Sequence, residues 1–133
     1  MSTADGLIVS RNSWKAWRLK IQLRQLGVVT VLDLSGKVTM GEADEALLAK
    51  VAELLEVEGL RHLLINLEQV PYMDSTGIGA LVTCYKHARQ KNAALKLLNP
   101  AKRVFDLLHI VKLDSIFECF DDEQQAIASF SNS

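Results

Sequence analysis

Short apolar runs alternate with amphipathic stretches along most of this chain. Apolar and polar residues alternate over positions 19–24, which predicts a half-buried strand, and Gly27 permits a turn after it. Residues 28–34 are apolar and rich in β-branched side chains, which predicts a second and more deeply buried strand. The chain is therefore expected to open with a β-hairpin.

Helical and extended patterns then follow one another. A helix is expected over 42–58, because apolar residues fall on one helical stripe there and Gly59 can end it. The remaining elements expected are a strand at 63–67, a helix after the segment 73–79, a strand at 95–98, a helix carrying Val104, Leu107 and Leu108, a short strand at 116–117 and a helix starting near Asp121 or Asp122.

This order of elements predicts the fold class. Short strand–helix–strand units require parallel pairing and right-handed crossovers. The sequence therefore predicts one α/β domain with a mixed sheet of about four or five strands, packed by about four helices. Its expected bounds are 18–131, after an N-terminal extension at 1–17.

The composition narrows the class of protein. The 133 residues are 49% hydrophobic and 23% charged, as in ordinary globular domains. Fifteen basic and sixteen acidic residues give a net charge of −1, which argues against nucleic acid or an anionic membrane as a partner. No apolar run approaches the roughly 18 residues of a membrane helix, and no signal peptide is evident. We expect a cytoplasmic protein in which Cys84 and Cys119 stay reduced.

The segment 73–79 is the most informative stretch. It reads Met73-Asp74-Ser75-Thr76-Gly77-Ile78-Gly79 and lies between a predicted buried strand and a predicted helix. Open α/β sheets place ligand and partner sites at the carboxyl ends of strands, and a helix N-terminus offers unpaired N–H groups. A hydroxyl on this turn would be exposed. The simpler interpretation is a helix cap, with the glycines serving tight helix–strand packing.

Other chemistry finds little support in the sequence. His62, His87 and His109 lack metal-ligand spacing with one another or with the cysteines. The residues around Ser75 do not form the Gly-x-Ser-x-Gly motif of serine hydrolases, and no phosphate-binding glycine loop occurs. We therefore expect no metal, no cofactor and no catalytic residue.

Three segments and the order of the elements resemble one known family. The segments are Val31-Leu32-Asp33-Leu34-Ser35-Gly36, Leu63-Leu64-Ile65-Asn66-Leu67 and Met73-Asp74-Ser75-Thr76-Gly77-Ile78-Gly79-Ala80-Leu81. Together they resemble a STAS domain, and the bacterial anti-sigma factor antagonists in particular, over about residues 18–130. The resemblance implies a STAS-like fold in a binding protein that regulates transcription and is not an enzyme.

The resemblance also implies a phosphorylation switch. In that family an anti-sigma factor that is also a serine kinase phosphorylates the serine of this segment, so Ser75 would be the phosphoacceptor, with Thr76 as the alternative. The unmodified protein would bind the anti-sigma factor, the phosphorylated protein would let go, and a phosphatase would reset it. The partner-binding residues that the resemblance implies are Asp74, Ser75, Thr76, Gly77, Ile78, Gly79, Thr39, Lys86 and Arg89.

One loop departs from the family pattern. Many phosphorylated relatives carry an acidic residue in the loop after the second strand, where this chain reads Gly36-Lys37-Val38-Thr39. Thr39 and the N-terminal extension favour an alternative, in which a STAS module acts as an adaptor in a signalling scaffold or beside a transporter, without phosphorylation. A second alternative is an enzymatic or nucleotide-hydrolysing role at the same turn.

Overall fold

The computed structural model of the protein describes residues 18–132. The predicted N-terminal extension at 1–17 therefore lies outside the described residues. The elements are β1 Lys20–Leu26, β2 Val29–Ser35, α1 Glu42–Glu56, β3 His62–Gln69, α2 Ser75–Gln90, β4 Ala94–Leu98, α3 Lys102–Ile110, β5 Cys119–Phe120 and α4 Glu123–Ser129, followed by a 3₁₀ turn at Phe130–Asn132.

The strands form one mixed sheet in the order β1-β2-β3-β4-β5. β1 and β2 are antiparallel and make the predicted hairpin, with Leu26 opposite Val29 across a turn in which Gly27 has a φ of 64°. All later pairings are parallel. The predicted α/β fold with an opening hairpin and a five-stranded sheet is confirmed.

Helices cover both faces of the sheet. The larger core lies on the face covered by α1, α2 and α3, and the smaller one lies under α4. Leu47 of α1, Leu81 of α2 and Leu108 of α3 are fully buried in the larger core, and Ala126 of α4 is fully buried in the smaller one. Leu81→Ala or a similar truncation would cost about 2–5 kcal/mol, because interiors are close-packed.

A polar network connects α4 to the first three strands. The Arg24 guanidinium pairs with Asp33 on β2 and with Glu123 in the first turn of α4. Asn66 on β3 donates from Nδ2 to Oδ1 of Asp33 at 2.8 Å. The hydrogen bond from Arg24 is the largest cause of the lowered pKa of Asp33, and the bond from Asn66 lowers it further.

Two predictions about strands were wrong in detail. The fifth strand is Cys119–Phe120, not 116–117. Residues 113–117 instead form a turn, in which Phe117 N–H bonds to the Leu113 carbonyl and the Phe117 ring is buried in the larger core. Pairing with β4 therefore begins three residues later than expected, with Leu97 opposite Cys119. Leu23 is 46% exposed, because β1 is the edge strand and the helices leave this position uncovered.

The last helix, α4, begins directly after one of the two residues predicted to cap it. Asp122, one of the two predicted caps, accepts a hydrogen bond from the Gln125 N–H at 2.9 Å. This bond satisfies one of the unpaired donors of the first helical turn. Ala126 and Phe130 are buried as expected, whereas Ile127 is only partly buried.

Candidate functional site

The turn between β3 and α2 is built around the side chain of Asp74. Asp74 is the N-cap of α2, with an extended backbone conformation, and its Oδ1 accepts the Gly77 N–H at 2.8 Å. Its carbonyl oxygen accepts the Ile78 N–H at 3.0 Å and starts the helical hydrogen bonds. The expected helix cap is therefore present, and it sets Ser75 as the first residue of α2.

The same carboxylate holds a second loop in place. Residues 36–41, which we call the β2–α1 loop, pass beside the turn, and Met40 N–H donates to Asp74 Oδ2 at 3.0 Å. Val38 pairs with Met73 in a parallel bridge. The N–H groups of Gly77 and Met40, in that order, hold the pKa of Asp74 below its usual range. Both carboxylate oxygens are thus engaged by main-chain donors, so Asp74 positions the loop and the helix.

Gly77 allows this close approach of loop and helix. A Cβ atom at this position would lie 2.1 Å from the Val38 carbonyl oxygen, far inside van der Waals contact. Gly79 differs, because a Cβ there would meet nothing within 4 Å. Gly77 and Ile78 are both buried within the domain. Gly77 and Ile78 would therefore affect a partner indirectly, by setting where the loop and the helix lie.

Ser75 and Thr76 differ in exposure. Ser75 is exposed, and within residues 18–132 its hydroxyl has no hydrogen-bond partner. Thr76 is partly buried, as is Thr39 in the β2–α1 loop. The structure therefore brings Thr39, Asp74 and Ser75 together at the carboxyl edge of the sheet, through the bonds that Asp74 makes.

Lys86 and Arg89 lie far from this turn. Both are exposed on α2, but at 1.5 Å per residue they lie about 17 Å and 21 Å along the helix from Ser75. Arg89 contacts Tyr85, with its Nη1 3.2 Å from the tyrosine hydroxyl. A partner that covers Ser75 and both basic residues would have to contact the whole length of α2.

Sequence reasoning missed several residues around Ser75. A groove between the start of α2 and the length of α3 is lined by Tyr72, Asp74, Ser75, Arg103, Asp106 and Ile110, among others. Tyr72 and Ile110 are 40% and 73% exposed, and Met40 in the β2–α1 loop is 74% exposed. A single apolar residue in a sequence looks like core whether it lies in a loop or on a helix, so the exposure of these three could be recognised only once the packing was known.

The reactive groups of this groove are the Ser75 hydroxyl and the carboxylates of Asp74 and Asp106. Its lining includes no histidine and no cysteine. Burial raises the pKa of the Cys84 thiol to about 12, and burial with the charge of Asp114 raises that of Cys119 to about 11. Both are free thiols that are protonated at neutral pH. The arrangement offers an exposed hydroxyl and an apolar contact surface instead.

No cluster of three or more His, Cys, Asp or Glu side chains with the geometry of a metal site occurs among residues 18–132. None of the helices in this range is both long and apolar enough to span a bilayer.

Comparison with known proteins identifies relatives of both the sequence and the fold. The family model described as "STAS domain" matches residues 20–126. The "Anti-sigma-B factor antagonist" of Listeria monocytogenes is 41% identical over 81 residues, which cover 59% of this chain and 71% of that protein. The corresponding protein of Staphylococcus aureus is 34% identical over 79 residues, covering 57% and 73% of the two chains.

Solved structures share the fold at lower identity. The crystal structure of an anti-sigma factor antagonist from Mycobacterium paratuberculosis aligns with a TM-score of 0.71 and 21% identity, over 84% of this chain and 92% of that one. The Bacillus cell fate determinant SpoIIAA in its phosphorylated form aligns with a TM-score of 0.67 and 21% identity, over 84% and 99%. At this level of identity the likeness concerns the fold alone.

Proposed function

This chain belongs to the STAS domain family, and from that premise we propose that it is an anti-sigma factor antagonist controlled by phosphorylation of Ser75. In its unmodified form it binds an anti-sigma factor that has serine kinase activity, and so releases a sigma factor. The phosphorylated form dissociates, and a phosphatase restores the first form. This function places the protein in the cytoplasm, as a binding protein and not an enzyme.

One observation carries the proposal: Ser75 presents an exposed and unbonded hydroxyl beside exposed apolar side chains. The hydroxyl is accessible to a kinase, and the exposed side chains of Tyr72 and Ile110 line the same groove. Exposed Met40 lies in the β2–α1 loop, whose main chain is bonded to Asp74. Exposed apolar groups next to a polar anchor are typical of protein interfaces. The name of the 41% identical Listeria protein supports the same function.

The proposed modification is a simple phosphoryl transfer. The Ser75 Oγ attacks the γ-phosphorus of ATP bound to the kinase, and the bond from that phosphorus to the bridging oxygen breaks. ADP leaves, and a base on the kinase takes the hydroxyl proton. The phosphatase later hydrolyses the Oγ–phosphorus bond and releases inorganic phosphate.

The phosphate acts differently on the fold and on the complex. It adds about −1.5 to −2 charges at the start of α2, where the helix dipole favours an anion by about 0.3–1 kcal/mol. In a docked complex the same charge would lose its water and lie beside the Asp74 carboxylate, which repels it. The domain would therefore keep its fold while the complex dissociates.

Ser75 is the preferred acceptor over Thr76. Ser75 is exposed and its hydroxyl is unbonded, whereas Thr76 is partly buried within the first turn of α2. A kinase can therefore reach Ser75 with less rearrangement of the helix.

The decisive experiment measures phosphorylation and binding with purified anti-sigma factor from the same organism. Wild type should take up phosphate from ATP at Ser75, as read by peptide mass spectrometry, and Ser75→Ala should take up none while binding normally. Ser75→Asp should weaken binding at least about tenfold, because it places a charge in the contact. Ser115→Asp is the matched control, since Ser115 is also exposed but lies between α3 and β5.

The outcomes separate this function from its alternative. Thr39, which stands where phosphorylated relatives carry an acid, favours a STAS adaptor that is not phosphorylated. The adaptor function predicts no phosphate uptake and equal binding by Ser75→Asp and wild type, and that pair of results would refute the switch. Phosphate at Thr76 would instead keep the switch and move its acceptor.

A further inference from the structure

The groove beside Ser75 contains a cation without a carboxylate partner among the described residues. Arg103 is exposed in the first turn of α3, and its Cζ lies 5.8 Å from the centroid of the Tyr72 ring. The carboxylates of the groove already have partners. Asp74 accepts two main-chain N–H groups, and Asp106 lies 2.8 Å from the Lys102 Nζ. The guanidinium donors of Arg103 therefore remain available.

The position of Arg103 is not explained by the stability of α3. The helix has no acidic residue in its first turn and no side-chain cap. The helix dipole disfavours cations at this end, and Lys102 is compensated by its i,i+4 pair with Asp106 whereas Arg103 is not. The gain from its contact with Tyr72 is small, on the order of 0.5–1 kcal/mol for an exposed pair.

The topology places this cation next to the proposed phosphoacceptor. β3 and β4 are parallel neighbours, so the turns that follow them lie at the same edge of the sheet. Ser75 begins the helix after β3, and Arg103 lies in the first turn of the helix after β4. Both side chains line one groove, and the ring of Tyr72, in the turn before α2, has its centroid 5.8 Å from the Arg103 Cζ.

We propose that Arg103 binds the phosphate group of phosphorylated Ser75. The planar guanidinium presents paired donors that match phosphate oxygens, and it lies over the Tyr72 ring. In the unmodified protein Arg103 is available to an acidic group of the partner, and in the phosphorylated protein the phosphate takes it up. The modification then acts twice, by adding a negative charge to the contact surface and by withdrawing a positive one. This inference rests on the proposed phosphorylation of Ser75.

The test uses protein with phosphoserine placed genetically at position 75, so that no kinase is needed. The pH titration of the phosphate is followed by ³¹P NMR in the wild-type background, in Arg103→Gln and in Lys102→Gln. A free phosphoserine has a second pKa of about 6, and pairing with Arg103 should lower it. We expect Arg103→Gln to raise this pKa by about half a unit or more, and Lys102→Gln by less than about 0.2 units.

Lys102→Gln is a matched control, because it removes the same charge one residue away. Since it also frees the Asp106 carboxylate, the double variant Lys102→Gln with Asp106→Asn is titrated beside it. Arg103→Lys gives a second measure, since it keeps the charge but removes the paired donors, and should recover only part of the effect. Equal pKa values in Arg103→Gln and Lys102→Gln would overturn the proposal, as would an unshifted pKa in the wild-type background. All positions tested are exposed, and circular dichroism checks that each variant is folded.

The proposed switch and this inference can fail separately. Absence of kinase-dependent phosphate at Ser75 refutes the switch, whereas the NMR titration reports on Arg103 with phosphate already installed. Suppose that phosphorylation still dissociates Arg103→Gln from the anti-sigma factor, and that its phosphate has the same pKa as in the wild-type background. The proposed function would then be retained and the role of Arg103 refuted.

Discussion

Exchange of Gly77 for alanine tests whether the site depends on the close contact between α2 and the β2–α1 loop. The new Cβ would lie 2.1 Å from the Val38 carbonyl oxygen and 3.0 Å from the Val38 carbonyl carbon. Ordinary contact at such an atom begins near 3.4 Å. The neighbour is main chain and has no alternative rotamer, so the loop or the start of α2 must move by roughly 1 Å or more.

The energy of this movement can be estimated from the contacts it disturbs. Overpacking of this kind costs about 1–3 kcal/mol. The movement also strains the bond from Met40 N–H to Asp74 and the bond from Asp74 N–H to the Val38 carbonyl. Each such bond contributes about 0.5–1.5 kcal/mol. Replacing glycine with alanine in a helix gains about 0.5–1 kcal/mol, so the net expectation is a loss of about 1–3 kcal/mol.

Gly79→Ala is the matched control, because it makes the same chemical change two residues later on the same helix. A Cβ at Gly79 meets nothing within 4 Å, so this variant should be stabilised by about 0.5–1 kcal/mol. In urea unfolding, with a slope of about 1–3 kcal/mol per M, Gly77→Ala should lower the midpoint by about 1 M and Gly79→Ala should raise it slightly. A Gly77→Ala protein as stable as Gly79→Ala would refute the steric argument.

Three further predictions concern other parts of the molecule. The pKa of Asp33 is lowered in the folded state, so its contribution to stability is present above its ordinary pKa of 3.8 and is lost as pH falls below that value. Asp33→Asn should lose about 1–2 kcal/mol at pH 7 in urea unfolding, and this difference should shrink in acid. Burial raises the pKa of Cys84 to about 12. At pH 8 the reaction of Cys84 with a thiol reagent should therefore be at least about 100-fold slower in the folded protein than in the unfolded chain, and equal rates would contradict the buried position. Met40→Ser and Ile110→Ser should each weaken binding of the anti-sigma factor by about tenfold without lowering the unfolding midpoint, because both side chains are exposed. An unchanged affinity in titration calorimetry would show that these side chains are not part of the contact surface.

The sequence alone determined the order and type of the elements. Period-two alternation and β-branched runs locate β1 and β2, and the stripe of leucines locates α1, because both patterns report which face of a local element is buried. A cap at the start of α2 was also expected from the sequence, because the bond from the Gly77 N–H to Asp74 spans only three residues and is a local interaction. The family resemblance then followed from segments that are contiguous in the chain.

The limits of local patterns explain the errors. The apolar pair at 116–117 resembles a strand, but Phe117 is directed into the core by a turn, and β5 begins at Cys119. Nothing in the local sequence distinguishes these two uses of a buried aromatic residue. Leu23 fits the alternation of β1 and is still 46% exposed, because the extent of the helical layer is a property of the whole fold.

Only the tertiary structure decided what surrounds Ser75. The bond from Met40 to Asp74 joins residues 34 positions apart, and the role of Gly77 depends on the Val38 carbonyl of another loop. Arg103 reaches the groove because β3 and β4 are parallel neighbours, so the turns after them share an edge of the sheet. The pattern of a sequence shows which face of each helix or strand is buried. A site at a sheet edge is assembled instead from turns that are distant in the chain, because the strand order brings those turns together.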